Sequence, residues 1–135
     1  MQETKIGFDT GFFIKALQGD RTAVDVWKTV LDNKSAGIIS CLTIFEINRL
    51  MLKGAIDRIS SEILLNDICN SCHIVWVDEI DILESSAKIS HSNNIPAIDS
   101  LIISSLIKSG VTVIYSTDTH VCSYKKKNVA IIKLG

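Results

Sequence analysis

Five short apolar runs rich in β-branched residues punctuate the chain: residues 4–9 (TKIGFD), 37–41 (GIISC), 73–77 (HIVWV), 111–115 (VTVIY) and 128–133 (NVAIIK). Runs of this length and composition read as buried strands. Between them apolar residues recur at helical spacing, which predicts helices over 10–18, 20–33, 43–53, 57–70, 79–92 and 96–109. Val24, Trp27 and Leu31 are expected on the inner stripe of the second helix, and Ile59, Ile63 and Ile68 on that of the fourth. The fifth carries Ile80, Leu83 and Ala87, and the sixth Ile102, Ile103 and Leu106. Strands alternating with helices imply a mostly parallel sheet covered on both faces, because parallel neighbours need crossovers and helices supply them. The expected fold is a three-layer α/β/α domain around a five-stranded sheet. With one Pro, seven Gly and no repeat, residues 1–135 read as a single domain. In such open sheets ligands bind outside the carboxyl ends of the strands, where the strand order reverses.

Composition narrows the chemistry. Fourteen Lys/Arg against fifteen Asp/Glu give a net charge of −1, neither a polybasic nucleic-acid glove nor an acidic tail, so the chemistry must be local. A chain of 135 residues buries roughly two-thirds of the surface its unfolded form exposes, enough for a core without staples. The start, MQETKIGFD, carries Glu3 and no apolar stretch behind a basic head, unlike an export signal. No run approaches the ~18 apolar residues of a membrane span. The expected location is the cytoplasm, where Cys41, Cys69, Cys72 and Cys122 need not pair.

Most acids, such as Asp20, Asp32, Asp57, Glu62 and Glu84, lie in polar company and read as solvated faces or caps. Four stand in apolar company. Asp9 ends the first strand after Phe8, and Glu46 lies between Phe45 and Ile47. Asp99 shares a helical stripe with Ile102, Ile103 and Leu106, and Asp118 follows VTVIY. A buried carboxylate is costly without a partner, a cation or solvent. Each has a plain structural reading. Asp9 could cap the helix beginning near Gly11, and Glu46 could complete a capping box with Thr43 and pair with Arg49. Asp99 suits the first turn after Pro96, and Asp118 suits a turn with Ser116 and Thr117.

Together they point further. Asp9 and Asp118 follow strands on the ligand-binding edge, Glu46 lies just beyond the second strand, and Asp99 opens a helix that starts near the same edge. Like charges converging on one cleft raise one another's pKa unless a cation compensates. Oxygen-only ligands suit a hard ion, Mg²⁺ or Mn²⁺, one or two per site, rather than zinc. Such an ion polarises a phosphodiester and lowers the pKa of an attacking water, so phosphodiester hydrolysis is the expected reaction.

The segments IGFDTGFFIKAL, ISCLTIFEINRL, IPAIDSLIISSLIKSG and VIYSTDTHV, in this order and spacing, resemble the PIN-domain nucleases, and within them the small VapC-type toxins. The resemblance covers essentially the whole chain. It implies a parallel sheet of order 3-2-1-4-5, an acidic pocket for Mg²⁺ or Mn²⁺, endoribonuclease activity, a homodimer and a cognate antitoxin whose tail covers the cleft. It also implies that Asp9, Glu46 and Asp99 are the core metal ligands and that Asp118 completes the site. Thr10 and Ser116 fall where the family often has small hydroxyl residues behind the acids. Some relatives carry a further acid where this chain has His120 and Val121; His120 reads as a phosphate contact or a surface residue, with the surface reading favoured. Water is expected to attack phosphorus in line, leaving a 5′-phosphate and a 3′-hydroxyl.

Lys15, Arg49 and Lys53 lie near the acids in sequence and are candidates to grip RNA phosphates. Tyr124 with Lys125, Lys126 and Lys127 forms the one dense basic cluster, equally readable as RNA-binding or as a solvated turn. Cys69-Asn70-Ser71-Cys72-His73 matches the haem-attachment pattern, but it sits at a helix–strand junction in a chain expected to stay in the cytoplasm, and chance spacing explains it better. A receiver-type phosphoacceptor domain is the main alternative, with Asp9 on metal, Asp78 phosphorylated, Thr117 as switch and Lys133 on phosphate. It leaves Glu46 and Asp99 without a role. A PIN-like domain that only binds RNA or protein is the third reading. Setting the four site acids aside leaves eleven acids against fourteen bases, a body of charge +3 around an acidic cleft.

Overall fold

The computed structural model describes residues 4–135; Met1–Glu3, and with them part of the stretch read against an export signal, lie outside the described residues. The chain runs β1 (Thr4–Phe8), α1 (Thr10–Leu17), α2 (Arg21–Leu31), β2 (Ser35–Ser40), α3 (Cys41–Leu52), α4 (Arg58–Ser71) and β3 (Cys72–Val75). It continues through α5 (Ile80–Asn93), α6 (Ala97–Lys108), β4 (Val113–Ser116), α7 (Thr119–Ser123) and β5 (Ala130–Lys133). The strands form one sheet of order β3-β2-β1-β4-β5, every pairing parallel, as the family resemblance implies.

Period-2 alternation distributes the strand side chains to two cores. Phe8 and Ile39 face the cluster built by α1, α2, α3 and α4, where Phe12, Phe13, Trp27 and Tyr115 surround the Phe8 ring. Ile38 and Ile114 face the second cluster, with Ile89 from α5 and Ile102, Ile103 and Leu106 from α6. Burying one such aromatic or aliphatic side chain contributes roughly 1.5–3 kcal/mol.

The register positions the site. Phe8 pairs with Ile39 on one side and Tyr115 on the other, so the next residues, Asp9, Ser40 and Ser116, leave the sheet level with one another on its carboxyl edge.

All six predicted helices form, but three turn a different face inward. In α2 the buried stripe is Ala23, Trp27 and Val30, with Leu31 exposed. In α4 it is Ser61, Leu64 and Ile68, and Ile59 and Ile63 face outward. In α5 it is Ile82, Ser86 and Ile89, while Ile80 is 73% and Leu83 51% exposed and Ala87 also lies outside. Each of these helices carries apolar residues on adjacent stripes, and contact with the neighbouring helix selects between them. For α5 that neighbour is α6, against which it packs along its length. The sixth helix buries Ile102, Ile103 and Leu106 as expected. Helix α7 is absent from the sequence reading because five residues are too short to show a 3.6-residue period.

Helix α3 begins at Cys41, two residues earlier than predicted, because the buried Ser40 side chain caps it by accepting from Leu42 N at 3.2 Å. Thr43 therefore lies within the first turn, and the expected capping box with Glu46 does not exist. Cys72 packs into the first core with its thiol pushed up to about 12, by burial first and then by Cys69. That is the state of a packing group, not of a redox pair.

Candidate active site

Asp9 does two things at once. Its carboxylate caps α1 by accepting from Phe12 N at 3.0 Å, and its backbone N–H donates to Tyr115 O at 3.2 Å, tying the end of β1 to β4. The capping anticipated from sequence is present, and the same carboxylate also faces a cavity. Burial raises its pKa most; hydrogen bonds from Ser116, Phe12 and Thr117 oppose the rise, and the Asp118 charge adds to it.

Asp118 has the matching arrangement at the end of β4. It caps α7 through Val121 N at 2.9 Å, while its own N–H donates to Ser116 Oγ at 3.0 Å. The fully buried Ser116 thus sits beneath both acids. Asp99 stands in the first turn of α6, where the helix dipole favours an anion. Its carboxyl is nonetheless raised from 3.8 to about 6, first by burial and then by the charges of Asp118, Glu46 and Asp9.

Glu46 projects from the second turn of α3. Its Oε1 accepts a short hydrogen bond from the Thr10 hydroxyl, whose oxygen lies 3.3 Å from Thr43 Oγ1 in the buried layer behind. The Glu46–Arg49 ion pair considered above is not among the ion pairs of the described residues, which are Arg58–Glu62, Lys108–Glu79 and Lys108–Asp81.

All four acids, contributed by the β1–α1 junction, α3, α6 and the β4–α7 junction, line one cavity of about 340 Å³. Thr10, Gly11 and Thr117 complete its floor, and Phe45, Ile98, Ile14 and Leu50 supply apolar wall. Arg49 is the one basic residue in the lining. Of the other basic candidates, Lys15 lies in the last turn of α1 and Lys53 caps the far end of α3, both outside the lining. Lys125, Lys126 and Lys127 lie between α7 and β5, with Lys126 in the wall of a different cavity. His120 is exposed and outside the acid cavity, and Val121 is core.

Gly11 was not singled out from sequence. A Cβ there would meet Thr117 Oγ1 at 1.9 Å, so the turn that carries Asp118 closes directly onto the start of α1. A lone glycine after an acid carries no sequence signal for such a contact, since the partner is 106 residues away.

The donor set fits a hard divalent cation. It is all oxygen, the charges of Asp118, Glu46 and Asp9 raise the Asp99 carboxyl, and a single guanidinium stands against four acids. No three His, Cys, Asp or Glu side chains among the described residues are already gathered as a metal-ligand cluster, so the acids line the walls of the cavity rather than a closed cage. The receiver alternative fails on topology. Receivers have order 2-1-3-4-5, which places the third strand beside the first; here β3 is an edge strand and Asp78 lies outside the acid cavity.

The model of the PIN domain family matches residues 6–127. No curated protein matches the chain. Among solved structures, the chain is similar to one from Rickettsia felis, described as VapBC2 bound to a DNA fragment from their promoter. The TM-score is 0.73 at 11% identity, over 98% of this chain and 100% of that one. A toxin–antitoxin complex from Klebsiella pneumoniae aligns with TM-score 0.67 at 18% identity, covering 93% and 95% of the two chains. FitAcB from Neisseria gonorrhoeae aligns with TM-score 0.60 at 15% identity, covering 95% and 96%.

Proposed function

The chain belongs to the PIN domain family, and from that premise we propose that it is an endoribonuclease dependent on Mg²⁺ or Mn²⁺ and the toxin of a toxin–antitoxin pair. The observation that carries this reading is the convergence of four carboxylates from four separate elements on one cavity with a single basic residue. Helix capping accounts for Asp9 and Asp118 one at a time but not for four acids facing one cavity, and an ion would relieve their mutual repulsion.

Asp9, Glu46 and Asp99 would hold the ion, and Asp118 would complete the site. An ion bound there would supply Lewis-acid polarisation of the phosphodiester and a lower pKa for the attacking water. The chain's own residues set the rest. Thr10 fixes the Glu46 carboxylate, while Ser116 holds Asp9 and Asp118 in register with each other. Arg49 in the wall neutralises a substrate phosphate. Phe45, also in the wall and 57% exposed, offers a face on which an unpaired base can stack, which favours single-stranded RNA.

Partner readings rest on surface and likeness. Leu52 on α3 and Ile59 and Ile63 on α4 are exposed apolar side chains, and this α3–α4 face is where a second copy would pair. An antitoxin segment would cover the cleft, in keeping with the similar complexes from Rickettsia felis and Klebsiella pneumoniae. No helix of the described residues is long and apolar enough to cross a membrane, and the proposed site of action is the cytoplasm, where RNA is.

The test is cleavage of single-stranded and structured RNA by purified chain freed of any antitoxin. Mn²⁺ or Mg²⁺ should support cleavage, EDTA should stop it, and Asp9→Asn should lower it by about 10²-fold or more. Asparagine keeps an oxygen to cap α1, so the variant should remain folded. Metal-independent cleavage, or an Asp9→Asn protein as active as the wild type, would overturn the reading. A folded protein that binds RNA without cutting it would establish the binding-only alternative.

A further inference from the structure

Two of the four site acids are fixed by the backbone: Asp9 and Asp118 each accept a main-chain N–H as a helix cap. Glu46 is fixed differently. Its longer side chain stands half-buried on α3, and the Thr10 hydroxyl is its one hydrogen-bond donor among the described residues. Whatever sets the Thr10 hydroxyl therefore sets Glu46.

Thr10 is the first residue of α1 and is buried. Behind it lies Thr43, in the first turn of α3 and 0% exposed. Thr43 and Glu46 are three residues apart on one helix, so their side chains share a face. The Thr10 hydroxyl meets both: its oxygen lies 3.3 Å from Thr43 Oγ1, and it bonds Glu46 Oε1.

Proton count gives the two bonds a direction. A hydroxyl has one proton to donate, and an ionised carboxylate can only accept. Thr10 therefore donates to Glu46, and the bond between the threonines runs from Thr43 to Thr10. Water cannot reach the fully buried Thr43, and Thr10 is its one side-chain hydrogen-bond partner among the described residues. At 3.3 Å this inner bond is the looser of the two, and its effect is one of direction: it occupies a Thr10 lone pair and leaves the Thr10 proton aimed at the carboxylate. A hydroxyl that accepts a bond also becomes a better donor, so the inner bond strengthens the outer one. The spacing Thr43-Ile-Phe-Glu46, which reads as a capping box in the sequence, thus lets α3 hold its own carboxylate through a hydroxyl supplied by α1.

We propose that Thr43 is a positioning residue of the acid cavity: from within the core its hydroxyl sets the Thr10 hydroxyl, and Thr10 in turn holds the Glu46 carboxylate in place for a cation. Its part in holding a metal ligand rests on the metal-dependent reading above; the order of the hydrogen bonds does not. Groups that orient a metal ligand typically change metal affinity by about 10–100-fold when removed.

Two measurements on the full chain test this, one with metal and one without. In calorimetric titration with Mn²⁺, Thr43→Val should weaken binding by about tenfold, and Thr43→Ser, which keeps the hydroxyl, should bind close to the wild type. As a control, Thr29→Val removes a hydroxyl bonded to Val26 O in α2 and should leave Mn²⁺ affinity unchanged. In metal-free protein, Thr43→Val and Glu46→Ala are combined in a cycle read as thermal midpoints, once with Thr10 present and once in the Thr10→Val background. The two substitutions should be non-additive with Thr10 and additive without it, because Thr10 is the polar link between them. A threonine that only packs would lower the midpoint and give neither result. If Thr43→Val does not fold, Thr43→Ala takes its place in both measurements. Mn²⁺ binding by Thr43→Val as tight as that of the wild type, or a cycle that reads the same with and without Thr10, would overturn the proposal. A wild-type chain that binds no Mn²⁺ would count against the metal-dependent reading instead, and the metal-free cycle then decides on Thr43 by itself.

Discussion

Asp99 is held near pKa 6 by burial and by three neighbouring carboxylates, and that has a definite sign for stability. An acid whose folded pKa lies above its unfolded value costs the native state in full where both states are ionised; the cost shrinks as pH falls below the folded pKa and is gone only below the unfolded one. Metal-free protein should therefore be less stable than Asp99→Asn at about pH 7.5, and the gap should narrow towards about pH 5, read as thermal midpoints. A gap of equal size at both pH values would contradict it. Gly11 makes a different kind of demand. With Thr117 Oγ1 at 1.9 Å from any added Cβ, Gly11→Ala must displace the turn that carries Asp118. The expected cost is about 1–3 kcal/mol in denaturant titration, with cleavage reduced. Adding Thr117→Gly removes the obstructing side chain and should recover most of the stability.

Elements act here as carriers of single side chains. Helix α3 is started by the buried Ser40, and its second turn delivers Glu46 to Thr10. Ser40→Ala should cost about 1 kcal/mol of stability and, by loosening the start of α3, should also lower cleavage. The comparison is Asp57→Ala, which removes the exposed cap of α4 at Ser60 N and should leave cleavage unchanged. If both variants affect cleavage alike, α3 does not position the site. The helix faces carry a related point. Six helices are legible from period alone, but α2, α4 and α5 each hold apolar residues on two adjacent stripes. Which stripe turns inward depends on the neighbouring helix, and local periodicity does not contain that information.

For the molecule as a whole, the near-zero net charge conceals an acidic cavity, four carboxylates to one guanidinium, within a body of charge +3. A divalent ion that binds the folded cavity and not the unfolded chain raises stability by mass action, by about 2.7 kcal/mol at a hundred times its Kd. Mn²⁺ should therefore raise the thermal midpoint at about pH 7.5, EDTA should reverse the rise, and the effect should weaken near pH 5 as Asp99 takes up a proton. An unchanged midpoint at saturating Mn²⁺ would count against metal binding by the four acids.

The sequence by itself determined the α/β class, the number of strands, the approximate helices and the four acids that stand out from their apolar surroundings. Those features are local: a period, a β-branched run, a charge beside Phe or Ile. The tertiary structure decided that Phe8, Ile39 and Tyr115 lie side by side, so that Asp9, Ser40 and Ser116 emerge level. It also decided that Lys126 lines a cavity other than the acid one. These are relations between residues far apart in the chain, set by strand register and helix packing, whose energies are shared over many contacts and written in no single segment.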